Sequence, residues 1–121
     1  MFELDLRQTF SAAHAIVMNG VREPVHGHDW CVTVTVTADE LDDDGLVCDF
    51  HALERLLEQI IDPFRNRCFN DVAPFDQRNP SAERIVQFIA ESLIERLPHH
   101  VRVQRVQITE APGCVARYVV S

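Results

Sequence analysis

Phe2, Leu4 and Leu6 alternate with Glu3, Asp5 and Arg7, and alternation at a period of two is the mark of a half-buried strand. A strand is expected from Phe2 to about Ala13, with Phe10, Ala12 and His14 continuing its even-numbered side. An irregular segment from Ala15 to Val25 follows, and its Asn19-Gly20 suits a turn. A second strand is predicted from about Gly27 to Ala38. It places His28, Trp30, Val32, Val34 and Val36 on one face and Cys31, Thr33, Thr35 and Thr37 on the other. Beyond Gly45, Leu46-Val47-Cys48 reads as a short extended piece ending at Asp49, a helix N-cap. Leu53, Leu56, Leu57, Ile60 and Ile61 then recur at helical spacing until Asp62-Pro63. A loop of mixed character runs to Asn79-Pro80, which is expected to open a second helix with asparagine as N-cap and proline at the first helical position. Ala82, Ile85, Val86, Ile89, Leu93 and Leu97 give that helix its apolar face. Two more strands are predicted, from about Val101 to Thr109 and from Val115 to Val120. The phase change between Val101/Val103 and Val106/Ile108 requires a β-bulge near Gln104-Arg105. The order is strand, strand, helix, helix, strand, strand, an α+β fold in which the two long strands are antiparallel.

Composition narrows the function. A chain of 121 residues with 46% hydrophobic content is expected to form a single domain, residues 1–121, with a real core. A formal charge of -8 argues against a nucleic-acid surface, and the acidic run from Asp39 to Asp44 reads as a solvated turn. All eleven cationic residues are arginines, which excludes a Schiff-base lysine and a Walker-type phosphate loop. The four cysteines form no Cys-x-x-Cys pair, no signal-peptide pattern opens the chain, and no apolar run is long enough to span a membrane. A reduced, cytoplasmic protein is expected.

The candidate chemistry centres on Val25-His26-Gly27-His28-Asp29-Trp30. On a strand, residues two apart point the same way, so His26 and His28 project together and make half of a zinc site. Gly27 between them leaves room for close approach. His14, at the end of the first strand on the side of Phe10, is the natural third ligand.

The chain resembles the 6-pyruvoyltetrahydropterin synthases and the related 6-carboxytetrahydropterin synthases of queuosine biosynthesis over nearly its whole length. The resemblance is carried by Phe10-Ser11-Ala12-Ala13-His14, His26-Gly27-His28, Asp49-Phe50, Asn79-Pro80-Ser81-Ala82-Glu83, and Thr109-Glu110 with Ala116 and Tyr118. It implies the tunnelling fold, a ββααββ unit whose sheets join into a barrel, usually in a hexamer of two stacked trimers. It also implies Zn²⁺ held by His14, His26 and His28, with Glu110 gripping the amino-pyrimidinone edge of a pterin through two parallel hydrogen bonds. Three histidines leave a zinc coordination position open, as in catalytic sites.

Two parts of the family pattern are missing. Arg22 stands at the closest spacing to the usual cysteine, and Arg65-Asn66 occupy the positions of an Asp-His pair. Asparagine cannot relay a proton and arginine stays protonated. Glu23, three residues before His26, resembles the Glu-x-x-His-Gly-His pattern of a subgroup that behaves like dihydroneopterin aldolases; it is either a general base or an exposed loop acid. Cys68 and His51 are further candidates, each also readable as structural or solvated. Arg65 and Arg67, with Arg22, could form a basic patch for a phosphate or carboxylate on the substrate. The function implied is a zinc-dependent pterin lyase acting on the side chain of 7,8-dihydroneopterin or its triphosphate by aldolase-like cleavage. The alternatives are 6-carboxytetrahydropterin synthesis and a non-catalytic zinc- and pterin-binding homologue.

Overall fold

A computed structural model describes residues 1–120. Its main sheet has four antiparallel strands in the order β1-β4-β5-β6, built from β1 (Phe2–His14), β4 (His26–Ala38), β5 (Arg102–Ala111) and β6 (Cys114–Val119). A two-stranded hairpin, β2 (Val17–Met18) and β3 (Val21–Arg22), fills the segment expected to be irregular. Asn19 and Gly20 turn it, with φ of 52° and 77°. Consecutive positive φ values are what a tight two-residue hairpin needs, and asparagine and glycine adopt them most readily.

The expected alternation holds along both long strands. Phe10 pairs with Trp30, Ala12 with His28 and His14 with His26, so the even positions of β1 and β4 share one face. On that face Val32, Val34 and Val36 have no exposed surface. Two helices cover it: α1 (Phe50–Ile61) and α2 (Ala82–Arg96), which bury Leu53, Leu57, Ile60 and Ile61, and Ile85, Val86, Ile89 and Leu93 respectively. Fully burying a side chain of this size stabilises the fold by about 1.5–3 kcal/mol. Asp49 caps α1 as predicted, accepting the His51 amide at 3.0 Å. The bulge predicted near Gln104 is present: the β4–β5 register passes from Thr35/Arg105 to Val36/Val103.

Three local expectations are corrected. Ser81, not Asn79, caps α2, accepting the Arg84 amide at 3.2 Å from an extended backbone. Pro80 therefore precedes the helix, and the Asn79 amide is used elsewhere. Leu46-Val47-Cys48, expected as a short extended piece, joins no sheet and follows a turn gathered by the Asp42 carboxylate, which accepts the Asp44 and Leu46 amides at 2.9 Å each. The loop after α1 contains a short 3₁₀ helix, Phe69–Asp71. It is pulled into the core by Phe64, Phe69 and Phe75, each no more than 3% exposed. Phe69 meets Phe10 and Trp30 edge-on, so the loop docks directly beneath the histidine end of the sheet. No described helix is long and apolar enough to cross a membrane.

Candidate metal centre and active site

The β1–β4 register brings the three histidines together. His14 and His26 are cross-strand partners and His28 lies two pairs further along, opposite Ala12. Their ring centroids are separated by 4.8 Å (His14–His26), 5.2 Å (His14–His28) and 4.7 Å (His26–His28). Trp30 is the floor. Its ring packs edge-on against His14 at 4.9 Å and His28 at 5.2 Å, and its Nε1–H donates to the Ala12 carbonyl at 3.0 Å.

Backbone carbonyls fix two of the rings. His14 Nδ1 is 2.8 Å from the Pro80 oxygen and His26 Nδ1 is 3.0 Å from the Pro24 oxygen. A carbonyl only accepts, so each Nδ1 carries the proton and each Nε2 presents its lone pair, the arrangement found behind metal-bound imidazoles. Burial, foremost, lowers the His28 pKa from its ordinary 6.5; His14 and His26 push it further down and Glu110 opposes them. That favours the neutral form a metal needs.

Glu110 comes from β5. The β5–β6 register shifts between Thr109 and Ala111, so Glu110 is the extra residue of a bulge, a device that re-aims a side chain beside active sites. Its Oε1 lies 3.0 Å from His14 Nε2 and 3.1 Å from His28 Nε2. Despite those separations neither nitrogen has an aligned hydrogen-bond partner, which is costly for a buried polar atom. One donor atom from each of His14, His26, His28 and Glu110 falls within 4.8 Å of the others. The unpartnered Nε2 atoms of His14 and His28, with His26 and Glu110 converging beside them, fit a divalent ion such as zinc. Glu110 thus lies inside the histidine cluster and also borders a cleft of about 330 Å³ with Ala82, Glu83, Cys114 and Arg117.

The remaining candidates are distributed unevenly. Glu23 is at the rim: its Oε1 accepts the Ile16 amide at 3.0 Å and lies 3.7 Å from His26 Nδ1. Arg67 lines a second, open cleft of about 620 Å³ that also touches Gly27, His28, Asn66 and Cys68. A Cβ at Gly27 would meet nothing within 4 Å, so its missing side chain simply leaves that cleft open. Arg65 is turned away, its guanidinium 3.4 Å from both Asp62 Oδ1 and the Thr9 carbonyl. His51 lies in the first turn of α1, away from the cluster. Sequence reading did not foresee the Pro80 and Pro24 carbonyls, nor Asn70 and Asn79. The side-chain amide of Asn70 brackets Ala15 through its N–H and C=O, and that of Asn79 brackets Val17 likewise.

The chain is an α+β unit, a sheet backed by two helices, with a His/Glu cluster that could hold a metal ion at the end of its longest strand pair. Residues 3–120 match the 6-pyruvoyl tetrahydropterin synthase family, and the chain belongs to it. It is similar to the 6-carboxy-5,6,7,8-tetrahydropterin synthase of Bacillus subtilis, with 29% identity covering 98% of this chain and 77% of that protein. It is also similar to a dihydroneopterin monophosphate aldolase of Pyrococcus furiosus, at 29% identity over 86% of this chain and 85% of the relative. Among solved structures, the 6-pyruvoyl tetrahydropterin synthase of Caenorhabditis elegans superposes with a TM-score of 0.86 at 20% identity, covering 99% and 96% of the two chains. A Plasmodium vivax 6-pyruvoyltetrahydropterin synthase with a catalytic glutamate replaced by alanine superposes with a TM-score of 0.77 at 20% identity, covering 97% and 96%. The tunnelling fold expected from the sequence is therefore the fold observed, as a two-helix antiparallel-sheet unit.

Proposed function

We propose that the protein is a zinc-dependent pterin lyase that cleaves the side chain of 7,8-dihydroneopterin, or a phosphorylated form of it, in an aldolase-like reaction. One observation carries this reading: the Glu23 carboxylate stands 3.7 Å from His26 Nδ1, behind the ring that presents its Nε2 to the cluster, while the family's Asp-His positions hold Arg65 and Asn66, which cannot exchange protons. Glu23 is thus the acid–base group at hand. The similarity to an aldolase and to a synthase with a catalytic glutamate supports it.

His14, His26 and His28 would hold the ion, which supplies Lewis-acid stabilisation of developing negative charge on a substrate oxygen. Glu110, bordering the 330 Å³ cleft, accepts the paired N–H groups of the pterin ring and aims its side chain at the histidines. Glu23 removes the proton from the second side-chain hydroxyl. The bond between the first and second side-chain carbons then breaks, the released aldehyde keeps its oxygen as a carbonyl, and the electron pair passes into the ring imine. Glu23 returns its proton to the first side-chain carbon, giving the hydroxymethyl pterin. A general base of this kind contributes about 10²–10⁴-fold. Arg67, which shares the 620 Å³ cleft with His28, is the arginine placed to meet an anionic substituent.

The unit is proposed to work as a homo-oligomer, a hexamer of two trimers. Both outer strands, β1 and β6, pair with one neighbour only, and open strand edges of this length invite pairing with another copy. Purified zinc-loaded protein incubated with 7,8-dihydroneopterin and with its triphosphate, with products identified by mass spectrometry, tests the reading. A hydroxymethyl product supports it; a 6-carboxy product would replace it with the activity of the Bacillus relative, and pterin binding without turnover would mark a non-catalytic homologue.

A further inference from the structure

We infer that Asn70 and Asn79 are positioning residues for Glu23, acting through the backbone of Ala15, Ile16 and Val17. Glu23 does not hold itself in place. Its carboxylate accepts the Ile16 amide at 3.0 Å, and its own amide donates to the Ile16 carbonyl at 3.0 Å. The residues on either side of Ile16 are each gripped twice by a distant side-chain amide. Asn70 Oδ1 accepts the Ala15 N–H at 2.9 Å while its Nδ2 donates to the Ala15 carbonyl at 2.8 Å. Asn79 treats Val17 in the same way, at 2.8 and 3.0 Å. Each asparagine thus imitates a strand partner, supplying one donor and one acceptor to one residue.

The need for such a device follows from the surroundings. Val17 and Met18 of the β2–β3 hairpin are exposed, as is Val21, and a hairpin of two-residue strands is too short to hold its own position. The two clamps add side-chain hydrogen bonds on both sides of Ile16, beyond the burial of His14 and Ala15 that ties this segment to the end of the sheet. Asn79 precedes Pro80, whose carbonyl receives His14 Nδ1. One dipeptide therefore anchors a histidine of the cluster with its backbone and the proton-transfer segment with its side chain. A displacement of about 1 Å in a reacting group can cost on the order of 10²-fold in rate. The geometry assigns these amides the task of preventing it.

This inference rests on Glu23 being the acid–base group, and a double-substitution cycle separates the two claims. Asn79 is exposed, so Asn79→Ala is expected to fold with its zinc content unchanged. It should lower kcat on 7,8-dihydroneopterin about 10- to 100-fold with little change in KM, and hydrogen exchange at the Ile16 amide should accelerate while Val32 stays protected. Asn79→Asp, which keeps the acceptor but not the donor, should recover part of kcat. Asn70→Ala should act in the same direction, and Asn79→Ala carries the test should that variant not fold. In a Glu23→Gln background, Asn79→Ala should have no further effect, because the group it positions is gone. Unchanged kcat and Ile16 exchange in Asn79→Ala, the same loss with and without Glu23, or a loss explained by missing zinc would each overturn the inference. Undiminished turnover in Glu23→Gln alone would instead overturn the assignment of Glu23, and the inference with it.

Discussion

The histidine end of the β1–β4 pair and the loop from Asn66 to Cys68 border the same 620 Å³ cleft, yet they are built differently. At the strand end every functional group is over-determined. Register sets the three rings, Trp30 supports them from below, and carbonyls of Pro80 and Pro24 fix two tautomers. In the loop, aromatic anchors hold the backbone, with Phe64 and Phe69 in the core, while Asn66 and Arg67 between them are exposed. There Arg65 leans on a strand carbonyl and Asn66 adopts a φ of 59°. A site built into strand register keeps its chemistry because changing it disturbs the core. A loop held by its aromatic anchors can change its exposed side chains without loss of fold, and under the proposed function the acid–base work falls to Glu23 instead.

The sharpest way to break this contrast is at the strand end. His14→Ala should abolish stoichiometric zinc binding, read by elemental analysis, and lower turnover by on the order of 10³-fold or more, the scale of several kcal/mol of lost charge stabilisation. Trp30→Phe should lose the bond to the Ala12 carbonyl and part of the ring floor, destabilising the fold by about 1–3 kcal/mol in denaturant titration. Acidification probes the same end. His28 has a pKa lowered by burial, so the folded state resists protonation where the unfolded chain accepts it. The metal-free protein should therefore lose stability as pH falls through about 6.5 towards the lower folded value. Zinc occupancy should persist below 6.5 before it is lost.

Effects in the loop should be smaller and selective. Arg67→Ala should raise KM for a phosphorylated substrate several-fold, about 1 kcal/mol, with less effect on 7,8-dihydroneopterin itself. Arg65→Ala, whose contacts are long and solvent-facing, should change stability by less than about 0.5 kcal/mol and leave turnover unaltered. An equal loss in both variants would erase the distinction drawn between the two arginines.

The same division separates what could be read from the sequence and what could not. The histidines were legible because a strand repeats every two residues, so His26, His28 and the even side of β1 declare a common face before any tertiary contact is known. The bulge at Gln104 announced itself as a phase change. The bulge at Glu110 did not, since it sits at the end of β5, opposite the start of β6, and no apolar repeat crosses it; family resemblance alone singled out that carboxylate. Asn79 was misread because Asn-Pro is a strong local start signal, and Ser81 supplied the cap instead. Its real partner is 62 residues away and that of Asn70 is 55 away, distances at which no pattern speaks. The loop over 62–81 lacked periodicity, so the three buried phenylalanines that compact it gave no warning.

The claim on which the rest depends is that Glu23 performs the proton transfer at a histidine-held metal. It is tested most directly by comparing wild type and Glu23→Gln for conversion of 7,8-dihydroneopterin to its hydroxymethyl product, with zinc measured in both. The account predicts equal zinc and a fall in kcat of about 10²–10⁴-fold for the variant. Equal zinc with undiminished turnover would contradict it, and would place the acid–base chemistry elsewhere in the cleft.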